Sequence, residues 1–322
     1  MSFQSGLTVS LINRAQKAGK LIITYHNVLP ASELTGFFTN NVDVSETTFE
    51  FQIKSLLEKF IIQPAKNITA PDKKGIFLSF DDGMFNNIQI IEPVLKKYGL
   101  TAMFGICSGL VQSDIAFIWR DQIFLMLKNL LGKKLIVSGV PSLSGREINE
   151  NNLNKTAAEL TEYIQASNKM DRVYQFMNEV LSMNDLNLNR DAFSALRYSP
   201  MDIMDIKYLK NNDHFIASHT HTHRKLSMLS DGEIEKELRI SRDYFTKELG
   251  GCNILVYPYG STNEVSYKVR DLAAEAGYKY AFLNMVKGFG KEDLFIPRIN
   301  MGNVSTRPQF FGILAGINKL FK

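Results

Sequence analysis

Short apolar runs alternate with longer helical patterns along most of this chain. Continuous apolar or β-branched stretches at 21–25, 76–80, 102–107, 215–218, 254–257, 278–283 and 295–299 predict seven strands. Runs of this kind suit parallel strands covered on both faces. Between them, residues 49–60 put Phe49, Ile53, Leu56, Leu57 and Phe60 on one helical face. Residues 87–98 read as a helix stopped by Gly99. Ser230 followed by Glu233 reads as a capping box opening a helix to about Leu249, with Gly250 after it. Residues 264–276 form a further helix ending at Gly277. About seven β-α units in succession predict an α/β fold, a barrel or a doubly wound sheet.

The rhythm breaks between about 120 and 200. That stretch is rich in Asn, Lys and Glu, with helical patches at 121–131, 155–165 and 172–183. It is expected to be a helical insertion within a single domain spanning 1–322, acting either as a wall beside a site or as a packing appendage. At the C-terminus, 308–322 has the pattern of an amphipathic helix carrying Lys319 and Lys322. Such a helix can dock on its own domain or lie on an anionic membrane surface.

Composition narrows the class. The 322 residues are 45% hydrophobic and 22% charged, with a net charge of +4, so a sizeable core is available. No block of five like charges occurs, which argues against a nucleic-acid arm. The two cysteines, Cys107 and Cys252, adjoin apolar runs and read as core residues. The N-terminus lacks the pattern of a secretory signal, and no apolar run reaches membrane-spanning length. The expected compartment is therefore the cytoplasm, with the inner membrane surface as a site of peripheral contact if the C-terminal helix binds lipid.

Candidate chemistry lies in two segments about 140 residues apart: Leu-Ser-Phe-Asp-Asp-Gly at 78–83 and Ser-His-Thr-His-Thr-His at 218–223. Each follows a predicted strand, where α/β enzymes place their sites. Together they offer one carboxylate and two imidazoles for a divalent metal, with a second carboxylate beside them. Asp-Asp-Gly alone is commonly only a turn. It is the matching histidine cluster, three of the chain's five, that favours a metal site. His221 is expected to point away from that site. His214, at the polar start of a strand, reads as a surface residue.

These two segments, with Val256-Tyr257-Pro258-Tyr259-Gly260, resemble the three leading motifs of the polysaccharide deacetylase superfamily, carbohydrate esterase family 4. The resemblance runs from about 21 to 300, outside the insertion. It implies a distorted (β/α) barrel of about seven parallel strands. It also implies that Asp82, His219 and His223 hold a metal, zinc in most members, with Co2+, Ni2+ and Mn2+ also suited to that donor set. Asp81 would be the general base, and the backbone N–H of Tyr259 would help bind an oxyanion. Two positions depart from the family pattern. Val256 stands where many members have an arginine that pairs with the base, and no Leu-x-His occurs near the C-terminus to supply an acid. Tyr25-His26 resembles a circularly permuted branch acting on amino-sugar polymers, whose acid histidine comes from an N-terminal strand. His26 is thus the candidate acid, Arg298 a candidate replacement partner for Asp81, and Trp119-Arg120-Asp121 a wall of the cleft.

The activity so implied is metal-dependent removal of acetyl from an N-acetylated amino sugar in a polysaccharide or a lipid-linked glycan precursor. Two other readings share the residues: a deformylase or other amide hydrolase, and a non-catalytic sugar-binding relative that has lost the motif arginine and histidine. No Gly-x-Ser-x-Gly elbow is present, so a serine nucleophile is not expected.

Overall fold

The predicted strands assemble into one curled, all-parallel sheet. The computed structural model describes residues 19–34, 42–261, 264–285 and 292–315. Its strands are β1 (Lys20–Tyr25), β2 (Asn27–Leu29), β3 (Asp43–Ser45), β4 (Gly75–Phe80), β5 (Met103–Ile106), β6 (Phe215–Ser218), β7 (Ile254–Val256), β8 (Tyr280–Phe282) and β9 (Ile299–Asn300). Seven of them form the sheet in the order β8-β7-β6-β5-β4-β1-β9, and β2 and β3 form a separate parallel pair. The result is a distorted (β/α) barrel with helices packed outside. The three-residue pair is too short to leave a sequence period, so the hydrophobic pattern does not reveal it.

Alternation along the strands builds two apolar layers. Ile22, Phe77, Met103, Ala217, Ile254, Val256 and Phe282 cluster together as an inner plug with Ile68. Their strand neighbours Ile23, Leu78, Phe104 and Leu255 join the larger cluster under the helices. Two residues beyond the plug, the same inward alternation reaches Thr24 and Ser79, whose hydroxyls bond at 2.6 Å. Two residues further it reaches His26 and Asp81, just past the strand ends. Period two thus carries polar side chains to the C-terminal mouth of an otherwise apolar barrel.

Three local expectations are corrected. The helix predicted from 87 begins with a π turn, Asn87–Ile91, and is α-helical only over Glu92–Lys97. Pro93 has no N–H to donate back to Gln89, so the regular ladder cannot run through this point. The helix Asp231–Leu249 starts after Ser230 as expected and ends at Gly250 in the left-handed conformation, but no capping box forms. The Glu233 carboxylate is taken instead by Arg224 and Lys236. His214 is buried, not at the surface. Its Nδ1 accepts the Ala102 N–H at 3.1 Å and its ring meets Phe104 edge-on.

The helices of 119–200, Trp119–Asn129, Leu153–Ala166, Val173–Met183 and Ala195–Tyr198, all fall between β5 and β6, followed by Ile203–Asn211. They are sewn to the barrel mouth by backbone bonds: Phe85 N–H to Ser199 O, 2.7 Å, and Met201 N–H to Gly83 O, 2.9 Å. At the C-terminal end, the helix Arg307–Leu314 buries Phe310, Phe311 and Leu314 against its own domain, with Phe311 against Phe60. The rest of the expected amphipathic helix, 316–322, lies outside the described residues. Among those described, no helix is long and apolar enough to cross a membrane.

Burial pushes His214 down to about 4, against the pull of Asp213. An unfolded chain, with a histidine near 6.5, takes up this proton first, so stability falls as pH drops from about 6.5 toward 4 and levels off below. Wild type is expected to lose about 2 kcal/mol between pH 7 and pH 5 from this residue alone. His214→Asn keeps an acceptor for Ala102 but does not titrate. Its unfolding free energy should therefore show a shallower pH dependence in denaturant titrations. Equal slopes in the two proteins would refute the assignment.

Candidate active site

The site sits where β1, β4, β6 and β7 end. Asp81 and Asp82 follow β4, His26 follows β1, His219 follows β6 and Tyr259 lies three residues past β7. The chain turns sharply at each loop. Asp82, Thr220, His223 and Tyr259 have φ of 75°, 64°, 56° and 62°. Residues other than glycine rarely adopt this region, and such strain collects where a side chain must be aimed. Gly83 relieves the first turn: its φ is 80°, and a Cβ there would meet Ile106 at 2.7 Å.

Asp82, His219 and His223 converge. Asp82 Oδ1 lies 3.4 Å from His219 Nε2 and 3.3 Å from His223 Nε2. All three residues are buried, and they are the one group of this kind found among the described residues. Asp82 Oδ1 has no hydrogen-bond partner although it is buried, which is costly unless something else satisfies it. His219 Nδ1 is 2.8 Å from Val256 O. Only an N–H can donate to that carbonyl, so Nε2 carries the lone pair that faces Asp82. Donor atoms about 2.0–2.1 Å from a tetrahedral ion stand roughly 3.3–3.4 Å apart. The three residues therefore fit a divalent cation in spacing, tautomer and charge. Burial works to raise the Asp82 carboxyl, but the two imidazoles, when protonated, outweigh it and hold it well below the ordinary range.

Asp81 is arranged differently. It is 1% exposed and bound bidentately by Arg298, with Nη1 to Oδ1 and Nη2 to Oδ2 both 2.8 Å. Arg298 is itself buried, fixed by Nε to Leu283 O at 3.0 Å and by Nη1 to Ser79 Oγ at 3.1 Å. Burial opposes ionisation of Asp81, yet the guanidinium prevails and lowers its pKa. His26 Nε2 stands 4.0 Å from Asp81 Oδ2, and burial pushes this imidazole below its ordinary value. Space for the pair is limited. Gly105 lies beneath them, where a Cβ would be 3.2 Å from Asp81 Oδ1 and 3.1 Å from Val256. Val256 itself is an inward-facing plug residue, and the arginine reaches Asp81 from just before β9 instead.

A hollow of about 200 Å3 opens onto these groups, lined by His26, Asp82, Arg120, Asp121, Tyr259 and Asn284 among others. The Tyr259 ring lies edge-on to His223, with centroids 5.1 Å apart. Larger hollows of about 540 and 480 Å3 lie along the insertion, the second also against Ser32, Glu33 and Leu34, and touch none of the clustered residues. His221 turns outward to Ser108 Oγ at 3.0 Å and is no part of the cluster. Sequence reading missed two residues here. Arg197 joins the wall through Asp121 and Asp43 at 3.0–3.2 Å. Asn284, whose Oδ1 is buried without a partner, lines the hollow. Neither sits in a periodic or motif context that would have marked it.

Comparison with known proteins agrees with this geometry. The family model described as polysaccharide deacetylase matches residues 151–281. No curated protein matches the chain. Among solved structures, the Streptococcus pyogenes deacetylase PplD, in complex with acetate, is 16% identical over 91% of this chain and 97% of its own, with a TM-score of 0.57. IcaB from Ammonifex degensii is 14% identical over 94% and 97%, with a TM-score of 0.52. A de-N-acetylase from Aggregatibacter actinomycetemcomitans is 15% identical over 90% and 99%, also at 0.52. At such identities the structural likeness speaks for the fold. The polysaccharide deacetylase family model falls on the stretch that carries His219, His223 and Tyr259, so this part of the chain is similar to that family.

Proposed function

We propose that this protein is a metal-dependent N-deacetylase that releases acetate from an N-acetylated amino sugar in a polysaccharide or a lipid-linked glycan precursor. One observation carries the reading: a second carboxylate, Asp81, is held ionised beside the Asp82-His219-His223 cluster instead of joining it. A module that only bound sugar or metal would have no use for that buried charge. The match to the polysaccharide deacetylase family model and the acetate in the S. pyogenes structure support the choice of acyl group.

A divalent cation on Asp82, His219 and His223, zinc being the first choice, would polarise the amide carbonyl and make water more acidic. The remaining steps belong to the chain. Asp81 accepts the proton of the attacking water, and Arg298 keeps that carboxylate charged and aimed. The Tyr259 N–H hydrogen-bonds the carbonyl oxygen as negative charge develops on it, a type of contact worth about 3 kcal/mol. His26 gives a proton to the departing nitrogen as the C–N bond breaks. Acetate and a free amino sugar leave. Cysteine chemistry is disfavoured, because burial raises the Cys107 thiol well above its ordinary value.

The test is acetate release from N-acetylated amino-sugar oligomers and lipid-linked precursors. Chelated enzyme should be inactive and recover on addition of Zn2+. Asp81→Asn should lower kcat by about 10²–10⁴ while the protein still binds metal. Undiminished release by the Asp81→Asn protein would sink the proposal. A second expectation concerns Arg298→Met, which strands Asp81 as a buried, unpaired charge. Its unfolding free energy should drop by about 3–5 kcal/mol, as measured by denaturant titration. A drop within error of zero would show that the pair is dispensable to the fold.

A further inference from the structure

The loop between the two histidines is anchored mostly by bonds to other parts of the fold. Its carbonyls face one way: Thr220 O accepts from Ser108 N–H at 3.2 Å and His221 O from Gly109 N–H at 2.7 Å. Its amides face the other. His221 N–H and Thr222 N–H both donate to Glu237 Oε2, at 3.0 and 2.7 Å. Glu237 Oε1 accepts from the Thr222 hydroxyl and from Arg224 Nε at 2.9 Å, and Arg224 Nη2 stands 2.8 Å from it. Glu237 is 1% exposed, on the helix Asp231–Leu249. One turn further along that helix, Ser241 Oγ meets Ser218 Oγ at 2.7 Å. A single buried carboxylate therefore gathers donors from three residues: His221 and Thr222, between the two histidines of the cluster, and Arg224 directly after His223.

The residues flanking those held, Thr220 and His223, have left-handed backbone. That conformation is disfavoured for both, so the loop needs an outside anchor to stay there. Buried amides left without an acceptor are costly, so the loop would rearrange if the carboxylate were lost. The separation of the His219 and His223 rings, 4.7 Å between centroids, depends on that backbone.

We infer that Glu237 is a positioning residue for the metal centre, fixing the His219–His223 spacing through the backbone of 221–222 and thereby setting the affinity for a divalent cation. It touches neither the cation nor the substrate. The inference rests on the proposed metal centre, and the experiment separates the two. Zn2+ affinity is measured on the full chain by competition with a chromophoric chelator. The variants are Glu237→Gln, Asp82→Asn and Leu160→Ala. The last removes a fully buried side chain from the helix Leu153–Ala166, and so reports what general destabilisation does. Glu237→Gln should weaken Zn2+ binding 10–100-fold, as loss of groups that orient ligands does elsewhere, while Leu160→Ala binds as wild type does. If Glu237→Gln does not fold, Glu237→Asp should weaken binding in the same direction. Wild-type affinity in the Glu237 variant, or an equal loss in Leu160→Ala, overturns the inference. Failure of wild type to bind Zn2+, or binding that ignores Asp82→Asn, overturns the metal centre first and this inference with it.

Discussion

The buried pair of Asp81 and Arg298 is the constraint around which the barrel mouth is organised. A carboxylate 1% exposed at the end of β4 must meet a cation or give up its charge. The guanidinium that meets it must itself be satisfied. Leu283 O and Ser79 Oγ do so, and Ser79 is bonded in turn to Thr24 on β1. The pair thus ties the ends of β1, β4 and β8 and the start of β9 together. Removing either partner leaves the other as an uncompensated charge inside an apolar barrel, a far larger loss than the modest net gain of forming the pair.

Much of this was legible in the residues themselves. Six of the seven sheet strands announce themselves as short apolar runs, because strands covered on both faces have little room for polar side chains; the run at 295–299 instead precedes the last strand, the two-residue Ile299–Asn300, and shares only Ile299 with it. Asp82, His219 and His223 are brought together because they follow β4 and β6, separated in the sheet only by β5. The Arg298 contact was harder to see. Its partner lies 217 residues away, and the only hint was a valine where an arginine was expected. Val256 explains the change in geometric terms: it belongs to the inner plug, pressed against Gly105, and an arginine there would displace that layer.

Other parts were not legible. The capping box failed because Arg224 competes for Glu233, a tertiary contact that no local motif reports. Glu237 lies in a run of alternating glutamates, Glu233, Glu235 and Glu237, which reads as an ordinary solvated face. Its distinguishing sign was available, since it shares the helical stripe of Ile234, Leu238 and Ser241 that faces the barrel. A carboxylate on an apolar stripe needs a partner, and here the partners are backbone amides that sequence alone cannot place.

The helical insertion has a consequence for how this scaffold can be modified. Tyr174 donates to Thr222 O at 2.7 Å, and Arg224 donates to Asp171 O at 2.9 Å. With Met201 bonded to Gly83 of the Asp-Asp-Gly turn and Ser199 to Phe85 just after it, the insertion and the residue that follows it hold on to both loops that carry the donor residues. It is therefore not a cassette that can be cut out or exchanged between relatives at its two ends. A chimera that carries a foreign insertion must bring matching partners for Gly83, Phe85, Thr222 and Arg224, or rebuild those loops as well. For any redesign, then, the insertion and the two loops count as one unit.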